Sequence, residues 1–272
     1  MKKTYLNISN VNIYCEYTLS EKPPIFLIHG FVSSTHTFHR LIPYLAKQFS
    51  IIAIDLPGFG RSEKSKTFIY SYSNYADLVI QCMDHFKLES VYMVGHSMGG
   101  QIALNTALKV PNRINKLVLL SSSGYLQPAN KWLIFASYLP FFHLFAKRHI
   151  QKNGVRETLE NVLYDHSFIT KELIEEYKRP IDEKDFSRSL VRFVRYREGD
   201  LPSEQLKKIK IPSLLIWGTE DKVVSLRIGK RLAKDLAHTK LITYEKTGHL
   251  LTEERPTEIY EQITSFIHHE GN

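Results

Sequence analysis

Cysteine is nearly absent from this chain: Cys15 and Cys82 are the only two in 272 residues. One falls in an expected strand and the other in an expected helix, so no disulfide framework is implied and a reducing compartment fits. A long hydrophobic run is also missing. The most apolar segment, residues 132–146, contains Pro140 and His143 and closes on Lys147-Arg148. A bilayer span needs about 20 apolar residues, so this segment is expected to be a buried or lid helix, with shallow membrane-surface contact as the alternative. The opening residues, Met1-Lys2-Lys3-Thr4-Tyr5, are basic but lack the apolar core of a secretory signal. Cytoplasmic location and no stable membrane insertion are therefore expected. The net charge of +8 is spread along the chain without a block of five basic residues. It reads as a solubility feature, and no nucleic-acid partner is expected. Internal repeats and low-complexity linkers are lacking too.

The chain is long enough to do without staples. A fold of this size buries roughly 75% of its unfolded surface, which is compatible with a composition 43% hydrophobic and 24% charged. Residues 5–8 and 11–17 alternate apolar and polar side chains around Ser9-Asn10, which predicts a β-hairpin. Short, wholly apolar runs follow at 25–28, 51–54, 91–94 and 117–120, with helical patterns at 38–47, 72–86 and 101–108. Apolar strands alternating with helices predict a parallel sheet buried on both faces. From about 124 to 202 the pattern is helical only. Alternation resumes with a strand at 213–217, a helix at 226–236, a strand at 240–244 and a C-terminal helix after Pro256.

The middle segment is thus an insertion at a strand end, over the edge where α/β sheets carry their sites. It is rich in aromatics: Trp132, Phe135, Tyr138, Phe141, Phe142 and Phe145. Most are expected to pack the insertion onto the core, and some to line a pocket. Arg188, Arg192 and Arg195 share one helix face by their spacing. A solvated face is expected; the same face turned inward would select an anionic substrate.

The strongest local signal is Gly95-His96-Ser97-Met98-Gly99, placed between an apolar strand and a helix. A G-x-S-x-G turn in that setting is a nucleophile elbow, which lifts a serine hydroxyl above the strand ends. A serine needs a base to take its proton, and the base needs a carboxylate to hold it. Asp221 lies just past the strand ending at Trp217, with Glu220 as its competitor, and His249 just past the strand ending at Tyr244. The order Ser, acid, His is that of the nucleophile-elbow architecture. The loop Ser121-Ser122-Ser123-Gly124 holds no acid, which leaves the later loop to supply it. Oxyanion donors are expected at the backbone N–H of Met98 and, from the His29-Gly30-Phe31-Val32 loop, at that of Phe31. His29 is expected to prop that loop.

Several features are set aside. Gly58-Phe59-Gly60-Arg61-Ser62 lacks the third glycine of a dinucleotide fingerprint. His268-His269 reads as a polar tail, and His36 with His39 as a surface pair near the site rim. No cofactor and no metal are expected.

Taken together, His29-Gly30-Phe31, Asp55-Leu56-Pro57-Gly58-Phe59-Gly60-Arg61-Ser62, Gly95-His96-Ser97-Met98-Gly99-Gly100, Trp217-Gly218-Thr219-Glu220-Asp221 and Gly248-His249, with Glu254 and Pro256 behind it, resemble the α/β-hydrolase fold family in its cap-bearing form. The resemblance spans nearly the whole chain. It implies a core of residues 1–123 and 203–272, a helical cap at 124–202 after the sixth strand, and a catalytic set of Ser97, Asp221 and His249, with Asp221 taking the acid role over Glu220. Serine at 97 sets aside the dehalogenases and epoxide hydrolases of this fold, which use aspartate. The expected activity is that of a serine carboxylesterase on small or medium apolar esters. Carbon–carbon bond hydrolases, lyases and slow-turnover ligand sensors of the same fold are the alternatives; Val32-Ser33-Ser34 departs from the Gly-Pro-Gly type loop of the first.

Overall fold

The apolar runs line up in one eight-stranded sheet. The computed structural model of the protein describes residues 1–152, 154–183 and 185–268. The strands are β1 (Lys2–Ile8), β2 (Val11–Thr18), β3 (Pro24–Ile28), β4 (Ser50–Ile54), β5 (Val91–His96), β6 (Ile114–Leu120), β7 (Ser213–Gly218) and β8 (Thr239–Tyr244). Their order is β1-β2-β4-β3-β5-β6-β7-β8. β1 and β2 form the expected antiparallel hairpin, and β2 pairs antiparallel with β4; the later pairings are parallel. Ser9 and Asn10 both adopt positive φ (53° and 59°), the conformation a two-residue hairpin turn requires.

Alternation along the strands splits the core into two layers. Ile25, Leu27, Ile51, Ala53, Val94, Val118 and Ile216 face one side. Phe26, Ile28, Ile52, Ile54, Met93, Leu117 and Leu215 face the other. Both sets are fully buried, and each large aliphatic side chain so covered contributes about 1.5–3 kcal/mol. Helices α1 (Ile42–Leu45), α2 (Tyr72–His85) and α3 (Met98–Lys109) alternate with the first parallel strands. A single helix over 38–47 is not formed. A 3-10 turn at Thr35–Phe38 and the four-residue α1 stand there instead. Pro43 has no N–H to give to the carbonyl of His39, so one continuous helix cannot pass through it.

Between β6 and β7 come α4 (Lys131–Ser137), α5 (Phe142–Lys152), α6 (Val155–Val162), α7 (Lys171–Asp182), α8 (Phe186–Tyr196) and α9 (Ser203–Leu206). α10 (Leu226–Asp235), α11 (Leu251–Glu254) and α12 (Pro256–His268) follow among and after the last strands. Two expectations for the helical insert are corrected. Most of its named aromatics do not pack inward: Trp132, Phe135, Tyr138, Phe141 and Phe145 are exposed. None of the six lines the cavity walled by α6 and α7. α4 and α5 lean on α8, with Ser137 buried at the contact, so their remaining faces turn outward.

The arginine face of α8 is neither free in solvent nor turned into that cavity. Arg188 pairs with Asp185 at 2.7 Å and Arg192 donates to the carbonyl of Phe68 at 3.1 Å. Arg195 donates to the Ser137 hydroxyl at 2.9 Å and to the Ser137 carbonyl. The Ser137 carbonyl is one that the end of α4 leaves open, and the guanidinium fork of Arg195 satisfies it, so this face ties segments together.

Candidate active site

Parallel register aligns the strand ends. Ile28 sits beside Gly95, His96 beside Leu120, and Leu120 beside Ile216. The loops after β3, β5, β7 and β8 therefore open on one edge, and they carry Phe31, Ser97, Asp221 and His249.

Ser97 occupies the turn between β5 and α3 at φ 52° and ψ −119°. A non-glycine residue there is strained by about 1–3 kcal/mol. Its neighbours must be small: a Cβ on Gly99 would strike the carbonyl of Ile28, and one on Gly95 the backbone of Gly99 and Gly100. The Ser97 N–H donates to the Leu120 carbonyl at 3.0 Å, and its own carbonyl accepts from Gly100 and Ser123. Met98 is the first residue of α3, so its N–H belongs to the turn that has no intrahelical acceptor.

His249 and Asp221 meet as a buried pair. His249 Nδ1 lies 2.8 Å from Asp221 Oδ2, while Asp221 Oδ1 accepts from the N–H groups of Val223 and Val224, both at 2.8 Å. Burial works to raise the Asp221 carboxyl; the His249 hydrogen bond and charge, helped by Val224 N–H, outweigh it and hold the carboxyl below its ordinary range. Glu220 points elsewhere. Its carboxylate takes the Thr219 hydroxyl at 2.6 Å and Thr247 N–H at 2.9 Å.

The loop after β3 is laced to the loop after β4. Leu56 N–H donates to His29 Nε2 at 2.9 Å, and His29 Nδ1 donates to the Gly30 carbonyl at 2.7 Å. Both ring nitrogens are thus used within the loops, and burial holds the ring neutral, down to about 4. Asp55 accepts from Thr35 N–H and Arg61 N–H, each at 2.6 Å. Burial pushes its carboxyl up to about 6 against those two donors. Val32, next to Phe31, is held at φ 52°, a strained setting for a β-branched residue. The Phe31 ring packs on Phe59 and Phe193, 5.4 and 5.1 Å between centroids.

Ser97, His249, Phe31 and Val32 all line one cavity of about 430 Å³. α6 and α7 supply its far walls through Val155, Leu159, Val162, Tyr177 and Ile181. Among the described residues its lining contains no lysine or arginine, and Glu157 is its one carboxylate. Sequence reasoning missed these wall residues, as it missed two supports of the His249 loop. His96 Nε2 donates to the His249 carbonyl at 3.0 Å. Glu254 accepts from Gly248 N–H at 2.6 Å and from Tyr164 and Asp165 N–H at 3.0 and 2.9 Å. The Gly248-His249 motif with Glu254 behind it carried that second signal without its geometry.

Among the described residues, His36, His39 and Glu253 bring three potential metal donors within 4.8 Å of one another. The imidazoles stack face to face at 4.0 Å, and His39 Nδ1 is turned to the His36 carbonyl (2.9 Å) and Glu253 (3.2 Å). Stacked rings direct their in-plane lone pairs side by side, not to a common point. His268 stacks on Phe49 and meets Gln48 at 2.6 Å; His269 lies outside the described residues.

The chain belongs to the alpha/beta hydrolase fold family, whose sequence pattern matches residues 23–256. It is a hydrolase of that fold. An uncharacterised hydrolase of Bacillus subtilis, YugF, is 48% identical over 261 residues, 96% of each chain. Solved structures share the fold: a meta-cleavage product hydrolase from Pseudomonas fluorescens (TM-score 0.81, 24% identity, 97% of each chain), and an esterase from Exiguobacterium antarcticum (TM-score 0.82, 20% identity, 98% of this chain and 99% of that one). No helix of the described residues is long and apolar enough to cross a membrane.

Proposed function

We propose that this hydrolase is a serine esterase acting on small or medium apolar acyl groups, with Ser97 as nucleophile, His249 as base and Asp221 as its orienting carboxylate. The observation that carries the reading is Ser97, held on a strained turn in a cavity it shares with His249, whose far nitrogen Asp221 already engages. In this reading His249 Nε2 takes the Ser97 proton as Oγ attacks the ester carbonyl. The N–H groups of Phe31 and Met98 receive the developing oxyanion, each worth roughly 100- to 1000-fold in rate. The tetrahedral intermediate collapses, His249 protonates the departing alcohol, and an acyl group remains on Ser97. Water, deprotonated by His249, then attacks the acyl-enzyme and restores the serine.

Asp221 supports this role by fixing Nδ1 as the protonated nitrogen, which leaves Nε2 free to accept. The cavity favours a neutral acyl group, because no lysine or arginine of its described lining would meet a substrate carboxylate. The segment between β6 and β7 serves as the cap, with α6 and α7 setting the depth of the acyl site. The test is hydrolysis of p-nitrophenyl esters from acetate to palmitate beside Ser97→Ala. Turnover peaking at one chain length and vanishing in the variant is expected. Turnover that persists in Ser97→Ala would overturn the reading, as would negligible turnover on every ester with ready cleavage of an anionic carbon–carbon substrate.

A further inference from the structure

We infer that the outer face of α4 and α5 docks on an anionic membrane surface. This face is apolar to a degree that folding does not explain: Trp132 is 78% exposed, Phe141 72% and Phe135 64%, with Leu133, Leu139 and Leu144 beside them about half exposed. Contiguous exposed apolar surface of this kind marks an interaction site. A tryptophan and several phenylalanines and leucines beside lysine and arginine are the composition of helices that lie in the bilayer interface.

Charge decides the occupant. No aspartate or glutamate occurs from residue 90 to 156, a stretch that holds Lys131, Lys147 and Arg148 in α4 and α5. Next to the apolar face, a depression of about 220 Å³ gathers Lys66, His143, Arg188, Arg192 and Arg195 with Ser137 and Leu139. Asp185 engages Arg188 and Lys66, which leaves the Arg192 and Arg195 side of the depression positive. Such a site suits the phosphate of a lipid headgroup while the aromatics enter the acyl boundary. A second copy of this chain would bring the same cations face to face, so the electrostatics oppose self-association through this surface.

The test is co-sedimentation of the full chain with vesicles of phosphatidylcholine containing about one-third phosphatidylglycerol, an anionic surface of the kind that attracts basic segments. Binding is expected there, falling about tenfold or more with pure phosphatidylcholine and in high salt. Phe135→Ser with Phe141→Ser, and separately Lys147→Glu with Arg148→Glu, should each weaken binding at least about tenfold while leaving hydrolysis of a soluble ester unchanged. Ser97→Ala should bind vesicles like the wild type, so the outcome is separate from that of the esterase reading. Absence of wild-type binding, or equal binding by both double variants, would overturn the inference. So would a wild-type dimer that the phenylalanine variant splits without any vesicle binding.

Discussion

The carbonyl of Val162, at the end of α6, accepts the N–H of His249 at 2.7 Å and that of Leu250 at 3.0 Å. The helical insert therefore holds the loop that carries His249, besides walling the cavity. An insert tied to this loop couples the shape of the cavity to the position of the His249 imidazole.

Variants of the proposed catalytic set should show graded losses. Ser97→Ala is expected to lower kcat by about a million-fold, and Asp221→Asn by about ten-thousand-fold, because the amide leaves His249 in the wrong tautomer. Steady-state rates on the best ester check both. Near-equal, small losses would mean that Asp221 and His249 form a structural pair only.

Removing Glu254 tests the support of the His249 loop. Glu254→Ala strips one acceptor from three N–H groups, those of Gly248, Tyr164 and Asp165. A stability loss of about 2 kcal/mol and a fall in kcat of about tenfold, with KM little changed, are expected. Glu254→Gln keeps an acceptor and should recover most of both. Thermal denaturation and kinetics on the two variants decide this; an equal loss of activity in both would show that the charge, not the hydrogen bonding, matters.

Acid sensitivity follows from two buried imidazoles. Burial lowers His29 to about 4 and, with the nearby His249 charge, His96 to about 3; unfolding returns both to about 6.5. Below pH 6.5 the unfolded chain binds more protons, so stability falls as pH drops toward 4. Asp55 acts in the opposite sense. Its folded value of about 6 lies above its free value of 3.8, so the folded chain takes up that proton and gains stability as pH falls through the same range. Among these three groups the two histidines outweigh the one carboxylate, so their combined contribution falls by roughly 1.4 kcal/mol per pH unit between about 6 and 4. Urea midpoints across this range should decline, and less steeply in His29→Gln. A flat or rising midpoint in the wild type would contradict this balance.

Leu159 should set chain-length preference. It is fully buried and lines the cavity from α6. Leu159→Ala removes about three carbons of wall and is expected to move the preferred acyl chain two or three carbons longer, at a stability cost of roughly 2–5 kcal/mol. The p-nitrophenyl ester series measures the shift; an unchanged optimum would place the acyl group elsewhere.

The sheet strands were legible because doubly buried strands must be apolar throughout: Ile25 to Ile28, Ile51 to Ile54 and Leu214 to Trp217 announce themselves, whereas their order across the sheet rests on pairings between distant segments. The juxtaposition of Ser97, Asp221 and His249 at one edge was legible because each follows a parallel strand. What stayed hidden depends on contacts far apart in sequence. The Val162 carbonyl carries no side-chain signal for its hold on His249. Tyr177 and Ile181 read as ordinary helix residues until α7 is placed over the cavity. The outward turn of Trp132 and Phe141 runs against the burial that their hydrophobicity predicts, and Arg195, expected on a solvated face, instead seats Ser137.

The most direct measurement is covalent labelling with a fluorophosphonate, followed by mass spectrometry of the proteolysed chain. A serine made nucleophilic by His249 should form one adduct per chain, on the peptide containing Ser97, and His249→Ala should slow its formation by orders of magnitude. No adduct, or an adduct on another residue with Ser97 unmodified, would contradict the assignment of Ser97 as the nucleophile.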